Sequence, residues 1–162
     1  MRDLNTFIKF ILALIVSELA GVIGSVATVS SIPTWYANLA KSELNPPNVV
    51  FGPVWIVLYA LMGTAFFLVW KMYPAALPAK KFKQAVFAFF MQLIVNVLWS
   101  IIFFGLRGPS LAFFDILLLW LAIAYMITVF YRISKVAAYL LFPYLLWVTF
   151  AVYLNYAILA LN

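Results

Sequence analysis

Long apolar intervals, broken by short clusters of charged, Gly and Pro positions, dominate the chain. A spanning helix needs about 20 predominantly apolar residues. Five intervals meet that length with suitable ends, running from about Phe7 to Val29, Val49 to Trp70, Gln84 to Leu106, Pro109 to Tyr131 and Val136 to Leu159. The connections between them are mostly short and carry Arg, Lys, Gly or Pro, so consecutive helices are neighbours and no soluble domain fits between them. The pattern predicts an all-α integral membrane bundle of five transmembrane helices, one domain over residues 1–162. The first interval is too long for a signal-peptide core, and Glu18 interrupts it with no A-x-A-like site following, so it is expected to be retained. An echo between Phe51-Gly52-Pro53-Val54-Trp55 and Phe142-Pro143-Tyr144-Leu145-Leu146-Trp147 is too short to indicate an inverted repeat.

Composition agrees with a lipid solvent. With 69% hydrophobic and 9% charged residues in 162, the chain carries more apolar surface than a soluble domain of this length can bury. It contains neither Cys nor His, which excludes disulfides, thiol nucleophiles, Cys/His zinc sites and axial-histidine haem. No metal site is expected. The net charge of +6 comes from basic residues scattered between apolar runs, which indicates membrane topology and not a nucleic-acid face. Arg2, Lys9, Lys71, Lys80, Lys81, Lys83, Arg132 and Lys135 fall on one side, against Lys41 and Arg107 on the other. The positive-inside rule then puts the N-terminus in the cytoplasm and the C-terminus outside. The long first connection, about Ser30 to Asn48, becomes extracytoplasmic, and its length marks it as a lid or binding loop.

Residues at i, i+4, i+7 and i+11 share one helical face. Gln92, Asn96, Trp99 and Phe103 follow that spacing in the third span, and Trp55, Tyr59, Met62 and Phe66 in the second. Pro143, Trp147, Phe150 and Leu154 mark a corresponding face in the fifth. Gln92 and Asn96 suit interhelical hydrogen bonding or ligand contact. Trp35 and Trp70 sit where an interfacial belt would place them, whereas Trp55, Trp99, Trp120 and Trp147 lie further into their spans and need a partner for each indole N–H. Glu18, near the middle of the first span, is costly in lipid unless paired or protonated, which makes it a functional candidate. Asp115 lies close in sequence to Arg107 and is expected to form an ion pair or cap. Ala13, Ser17, Gly21 and Ser25, with Ala20, Gly24 and Thr28, form two small-residue rows suited to close packing within the bundle, to a dimer contact or to a gap for a flat ligand.

These residues resemble the translocator protein family, also called the peripheral benzodiazepine receptor or tryptophan-rich sensory protein family. The resemblance rests on Trp35-Tyr36-x2-Leu39-x-Lys41, Pro46-Pro47 and Phe51-Gly52-Pro53-Val54-Trp55-x3-Tyr59-x2-Met62-Gly63. It continues through Gln92-x3-Asn96-x2-Trp99-x3-Phe103-Phe104-Gly105, Asp115-x-Leu117-Leu118 and Pro143-Tyr144-x2-Trp147-x2-Phe150-x3-Leu154-Asn155. The resemblance implies a five-helix bundle, often a homodimer, whose pocket opens towards the first connection and binds porphyrins and isoquinoline or benzodiazepine-type drugs. By motif position Trp55, Asn96 and Trp147 would line that pocket, with Tyr36 in its lid and Ala151 on the same wall; Trp99 and Phe150, from the faces above, complete the candidate ligand contacts. Ser42 departs from the proline, and Leu44 from the aromatic residue, frequent at those family positions. The run after Tyr156 lacks the basic residue of the sterol-associated pattern of animal members.

Three functions compete at this level. The first is a membrane receptor for protoporphyrin-like tetrapyrroles and drug-like molecules, requiring no cofactor, with porphyrin as the ligand. Without histidine, metal-free porphyrin or a tyrosine-ligated haem is expected in place of imidazole ligation. The second treats porphyrin as a substrate degraded under light and oxygen, with Trp55 and Trp147 as the candidate reactive indoles. No acid–base or nucleophilic triad supports ordinary catalysis. The third is a transporter, for which Glu18 is the only cue.

Overall fold

A computed structural model describes residues 2–162, with side chains from Asn5 onward; the side chain of Arg2, counted above among the basic residues, lies outside the described residues. All the regular structure described is helical: α1 spans Arg2–Val29, α2 Asn48–Trp70, α3 Ala79–Ser100, α4 Pro109–Tyr131, α5 Lys135–Tyr139 and α6 Phe142–Leu161. Five segments are long and apolar enough to cross a membrane: Asn5–Val29, Asn48–Trp70, Ala79–Gly105, Pro109–Tyr131 and Lys135–Leu161.

Prolines explain most of the helix starts. Pro47 precedes α2, Pro78 precedes α3, and Pro109 and Pro143 occupy the first turns of α4 and α6, where a missing N–H costs no helical bond. The third span begins at Ala79, earlier than the expected Gln84. Lys80, Lys81 and Lys83 lie within its first two turns, because an exposed lysine can extend to water while its backbone stays helical. At its other end the helix widens into a π-helical turn over Ile101–Gly105, closed by Leu106 N–H donating to Ile101 O at 2.8 Å. The chain then reverses at Arg107, whose φ of 53° is left-handed. The fifth span, expected to be continuous, is broken between α5 and α6 at Leu140 and Leu141, just ahead of Pro143. Asp115 makes no ion pair with Arg107 among the described residues; its Oδ2 is buried without a hydrogen-bond partner.

The outside of the bundle is as apolar as its interior. Leu12, Ile15, Leu19, Ile23 and Val26 of α1, and Leu111, Phe114, Leu118 and Leu121 of α4, are all exposed. Helices that are hydrophobic all round belong in hydrocarbon. Inside, α1 packs chiefly on α2 and also on α3, α3 packs on α4 and α4 on α6, while α5 touches α2 and so closes the ring. Without a hydrophobic drive between helices in lipid, close approach and hydrogen bonds must hold them together. The small residues of α1 serve that purpose within the chain: Ala13, Ser17, Ala20 and Gly24 are buried. Where the backbones of α1 and α2 meet, a Cβ on Gly63 of α2 would lie 2.9 Å from Ala13 O and 3.0 Å from Leu14 Cα, both backbone atoms that cannot turn aside. Replacing Gly63 with Val should therefore separate α1 from α2 and lower stability by about 1–3 kcal/mol, read as a reduced unfolding temperature in detergent or nanodiscs.

Candidate ligand cavity

On the side of this crossing towards the first connection, the helices enclose a cavity of about 530 Å³. Its walls come from α1, the first half of α2, the end of α3 and α6, and Tyr36 of the first connection also lines it. That volume falls within the range of small-molecule sites, about 300–1,000 Å³. The lining is mainly apolar and aromatic. Trp55 and Tyr59 lie one turn apart with ring centroids separated by 5.5 Å, and Trp147 meets Phe51 at 6.0 Å. Trp99 stacks on Phe103 at 5.1 Å where the π-helical turn begins, and such turns often accompany functional sites.

The deep tryptophans divide by the fate of their N–H groups. Trp99 donates to Asn155 Oδ1 at 3.1 Å, and Asn155 in turn donates to Pro109 O at 2.9 Å. Trp120 donates to Thr149 Oγ1 at 2.9 Å, away from the cavity. Trp55 and Trp147 both line the cavity, and among the described residues neither indole N–H has an acceptor. Of the remaining expected contacts, Tyr36, Trp99 and Ala151 also line it. Phe150 and Asn96 do not. Phe150 packs behind Trp147 at 5.9 Å and stacks with Tyr153 at 6.4 Å.

Asn96 is committed to the floor beneath. Tyr59 OH donates to its Oδ1, its Nδ2 donates to Tyr144 OH at 3.0 Å, and Tyr144 OH donates to Gln92 Oε1 at 3.0 Å. Asn96, Tyr144 and Gln92 are essentially inaccessible, and Gln92 Nε2 has no partner. Both amides thus serve as glue between α2, α3 and α6. Tyr144 stood in the resemblance motif beside Pro143, but no local pattern marked its hydroxyl as the partner of Gln92 and Asn96. Tyr59 faces both ways, joining this network while its ring lines the cavity. Glu18, the functional candidate of the first span, lines the cavity as well.

The first connection crosses the mouth and is fastened at several points. Ser31 Oγ donates to Phe104 O at 2.8 Å, and Asn162 brackets Ala40 with two hydrogen bonds of 3.0 Å. Ser42, the departure from the family's proline, shares a 2.9 Å hydrogen bond with Tyr153 OH, so the substitution gives the lid an anchor on α6. Tyr36 is buried between Phe103 and Phe104, donates to Asn45 Oδ1 at 3.0 Å, and carries Lys41 Nζ 4.7 Å above its ring centroid. Burial pushes its phenol above the ordinary value near 10, against a smaller opposing pull from the Asn45 hydrogen bond. Since the folded value is the higher one, Tyr36 contributes its stability fully below that ordinary value and loses it as pH rises through the folded value. The phenol is uncharged at physiological pH, so nothing on Tyr36 itself offsets the charge of Lys41 above its ring.

The TspO/MBR family model matches residues 12–161. The chain belongs to that family. It is 42% identical over 156 residues to the tryptophan-rich protein TspO of Archaeoglobus fulgidus, covering 94% of this chain and 98% of the relative. The tryptophan-rich protein TspO of Chlorobaculum tepidum is 41% identical over 142 residues, 88% of each chain. The human translocator protein is 40% identical over 124 residues, covering 76% of this chain and 72% of the human one. Membership in the TspO/MBR family, with five apolar helices, makes this an integral membrane protein and supports a membrane receptor role. The floor network lets its two amides be told apart. Asn96→Leu strips partners from the Tyr59 and Tyr144 hydroxyls and should cost about 1–3 kcal/mol. Gln92→Leu removes an amide that is already half unsatisfied and should cost less, an order that paired thermal unfolding curves will check.

Proposed function

We propose that this TspO/MBR protein is a membrane receptor for flat polycyclic ligands, protoporphyrin-like tetrapyrroles and isoquinoline or benzodiazepine-type drugs among them. The observation that carries the reading is the pair Trp55 and Trp147, two indoles on different helices whose uncommitted N–H groups border one cavity. Aromatic faces complement a flat ring system, and an indole N–H without a protein acceptor suits a ligand heteroatom. The α1 wall beside them includes Gly21 and Gly24, whose missing side chains let Tyr59 of α2 and Ser100 of α3 close against α1 at the side of the cavity. A tetrapyrrole with carboxylate side chains would have to direct these outwards, since no Lys or Arg lines the cavity among the described residues and Lys41 stands at the mouth over Tyr36.

The same reading orients the protein with its lysine-rich end in the cytoplasm, so that the cavity opens on the extracytoplasmic side. If two copies associate, they meet on a face other than the small-residue row of α1, because Ala13, Ser17 and Ala20 are already buried within one chain.

Two measurements test the assignment. Protoporphyrin quenching of tryptophan fluorescence should weaken by at least about tenfold in affinity, roughly 1.4 kcal/mol, in the Trp55→Ala, Trp147→Ala double variant; unchanged affinity in a folded variant removes the cavity from the proposal. Separately, Lys41→Gln should weaken binding of protoporphyrin by about threefold while leaving its uncharged dimethyl ester unaffected, as expected for one partly solvated charge pair. Equal losses for acid and ester would place the carboxylates elsewhere.

A further inference from the structure

We propose that the inner end of the cavity recognises lipophilic organic cations, aromatic amines or quaternary ammonium compounds, with the positive centre held between the carboxylate of Glu18 and the rings of Trp55, Tyr59 and Trp147. The inference rests on the reading of the cavity as a ligand site and adds the class of ligand that its inner end selects.

Three observations converge on it. Glu18 is the only Asp, Glu, Lys or Arg among the described residues that line the cavity, and it has no ion pair or hydrogen bond there. An unpaired carboxylate in the middle of a span is costly, and no basic side chain from any facing helix relieves it. A cationic ligand would supply the missing partner. Second, Glu18 and Tyr59 share one depth. Each lies eleven residues from the mouth end of its helix, Val29 for α1 and Asn48 for α2, or about 16 Å along the axis. The helices are also close there, since a Cβ on Gly21, one turn above Glu18, would come 2.5 Å from Cε2 of Tyr59. Third, the remaining walls at the inner end are aromatic, with Trp55 tilted against Tyr59 and Trp147 lining the cavity from α6. Ring faces of tryptophan and tyrosine attract a cation electrostatically, most strongly where water is excluded. A carboxylate beside such rings is complementary to a soft, weakly hydrated cation and repels carboxylates, so the cavity has polarity along its length: acidic and aromatic within, basic at the Lys41 rim.

The test compares naphthylmethyl-trimethylammonium with neopentylnaphthalene, its uncharged carbon isostere, titrated into the protein in phosphatidylcholine nanodiscs, with empty nanodiscs subtracted. The wild type should bind the cation at least about tenfold more tightly than the isostere, the scale of a desolvated cation–π contact with a charge partner. Glu18→Gln should abolish that preference while leaving isostere affinity within about threefold, which also shows that the variant is folded. Equal affinities in the wild type, or a preference that survives Glu18→Gln, overturns the inference. Protoporphyrin quenching measured alongside separates the two levels: if it persists without a cation preference, only the cation site falls, and if neither protoporphyrin nor either naphthalene binds, the cavity reading falls with it.

Discussion

The hydroxyl of Tyr144, buried where α2, α3 and α6 meet, links Asn96 to Gln92, and Asn96 carries the link on to Tyr59. In water such groups could exchange partners with solvent; in hydrocarbon each must find one inside the protein or remain unsatisfied. Three helices are thereby fixed in register by directional bonds that apolar side chains could not supply. The site above depends on that registration. Tyr59 ends the network and begins the cavity floor, and Trp55, one turn closer to the mouth, packs 6.1 Å from the ring of Tyr144. A slip of α2 along α3 would break the floor and the aromatic wall together.

A cavity in such a bundle needs a reason not to collapse. Packed aromatic walls supply it, with Trp55 tilted against Tyr59 and Trp99 stacked on Phe103, while Gly21 and Gly24 of α1 let Tyr59 and Ser100 close against that helix. Further down, similar small residues bring α1 into backbone contact with Gly63. One helix thus uses the same residue class twice: at Ala13 and Leu14 it meets the backbone of α2, and at Gly21 and Gly24 it admits the side chains of Tyr59 and Ser100. The opposite wall is stiff for a different reason, since Trp99 is pinned through Asn155 to the backbone of Pro109.

Hydropathy was sufficient for the five spans because the lipid imposes length and apolarity on each segment separately. It misplaced the start of α3 and overlooked the break before α6, since exposed lysines do not end a helix and the effect of Pro143 depends on which carbonyl lies one turn back. The aromatic faces were legible for a similar reason: Trp55 and Trp147 announce themselves by their distance from the membrane boundary. Asn96 was harder. Its position on the right face could not reveal that both ends of its amide would be taken by Tyr59 and Tyr144, because a hydrogen-bond partner on another helix leaves no mark in the local pattern. Glu18 was conspicuous as an acid in lipid, yet whether it met a helix or a cavity depended on how the facing helices pack.

The lid completes the chain of dependence. Family resemblance marked Ser42 as a departure, and in the fold its hydroxyl meets Tyr153 of α6 while Asn162 holds Ala40 nearby. Tyr36 is tied to Asn45 within the same connection and buried against the end of α3. The connection is therefore stitched to the helix ends that frame the mouth, and the ties are side-chain hydrogen bonds at an exposed boundary where water can replace them at little cost. The floor has no such substitute. That contrast assigns the two ends of the cavity different mechanical roles: a floor whose polar bonds lipid cannot replace, and a cover whose bonds can be exchanged for water whenever a ligand enters or leaves.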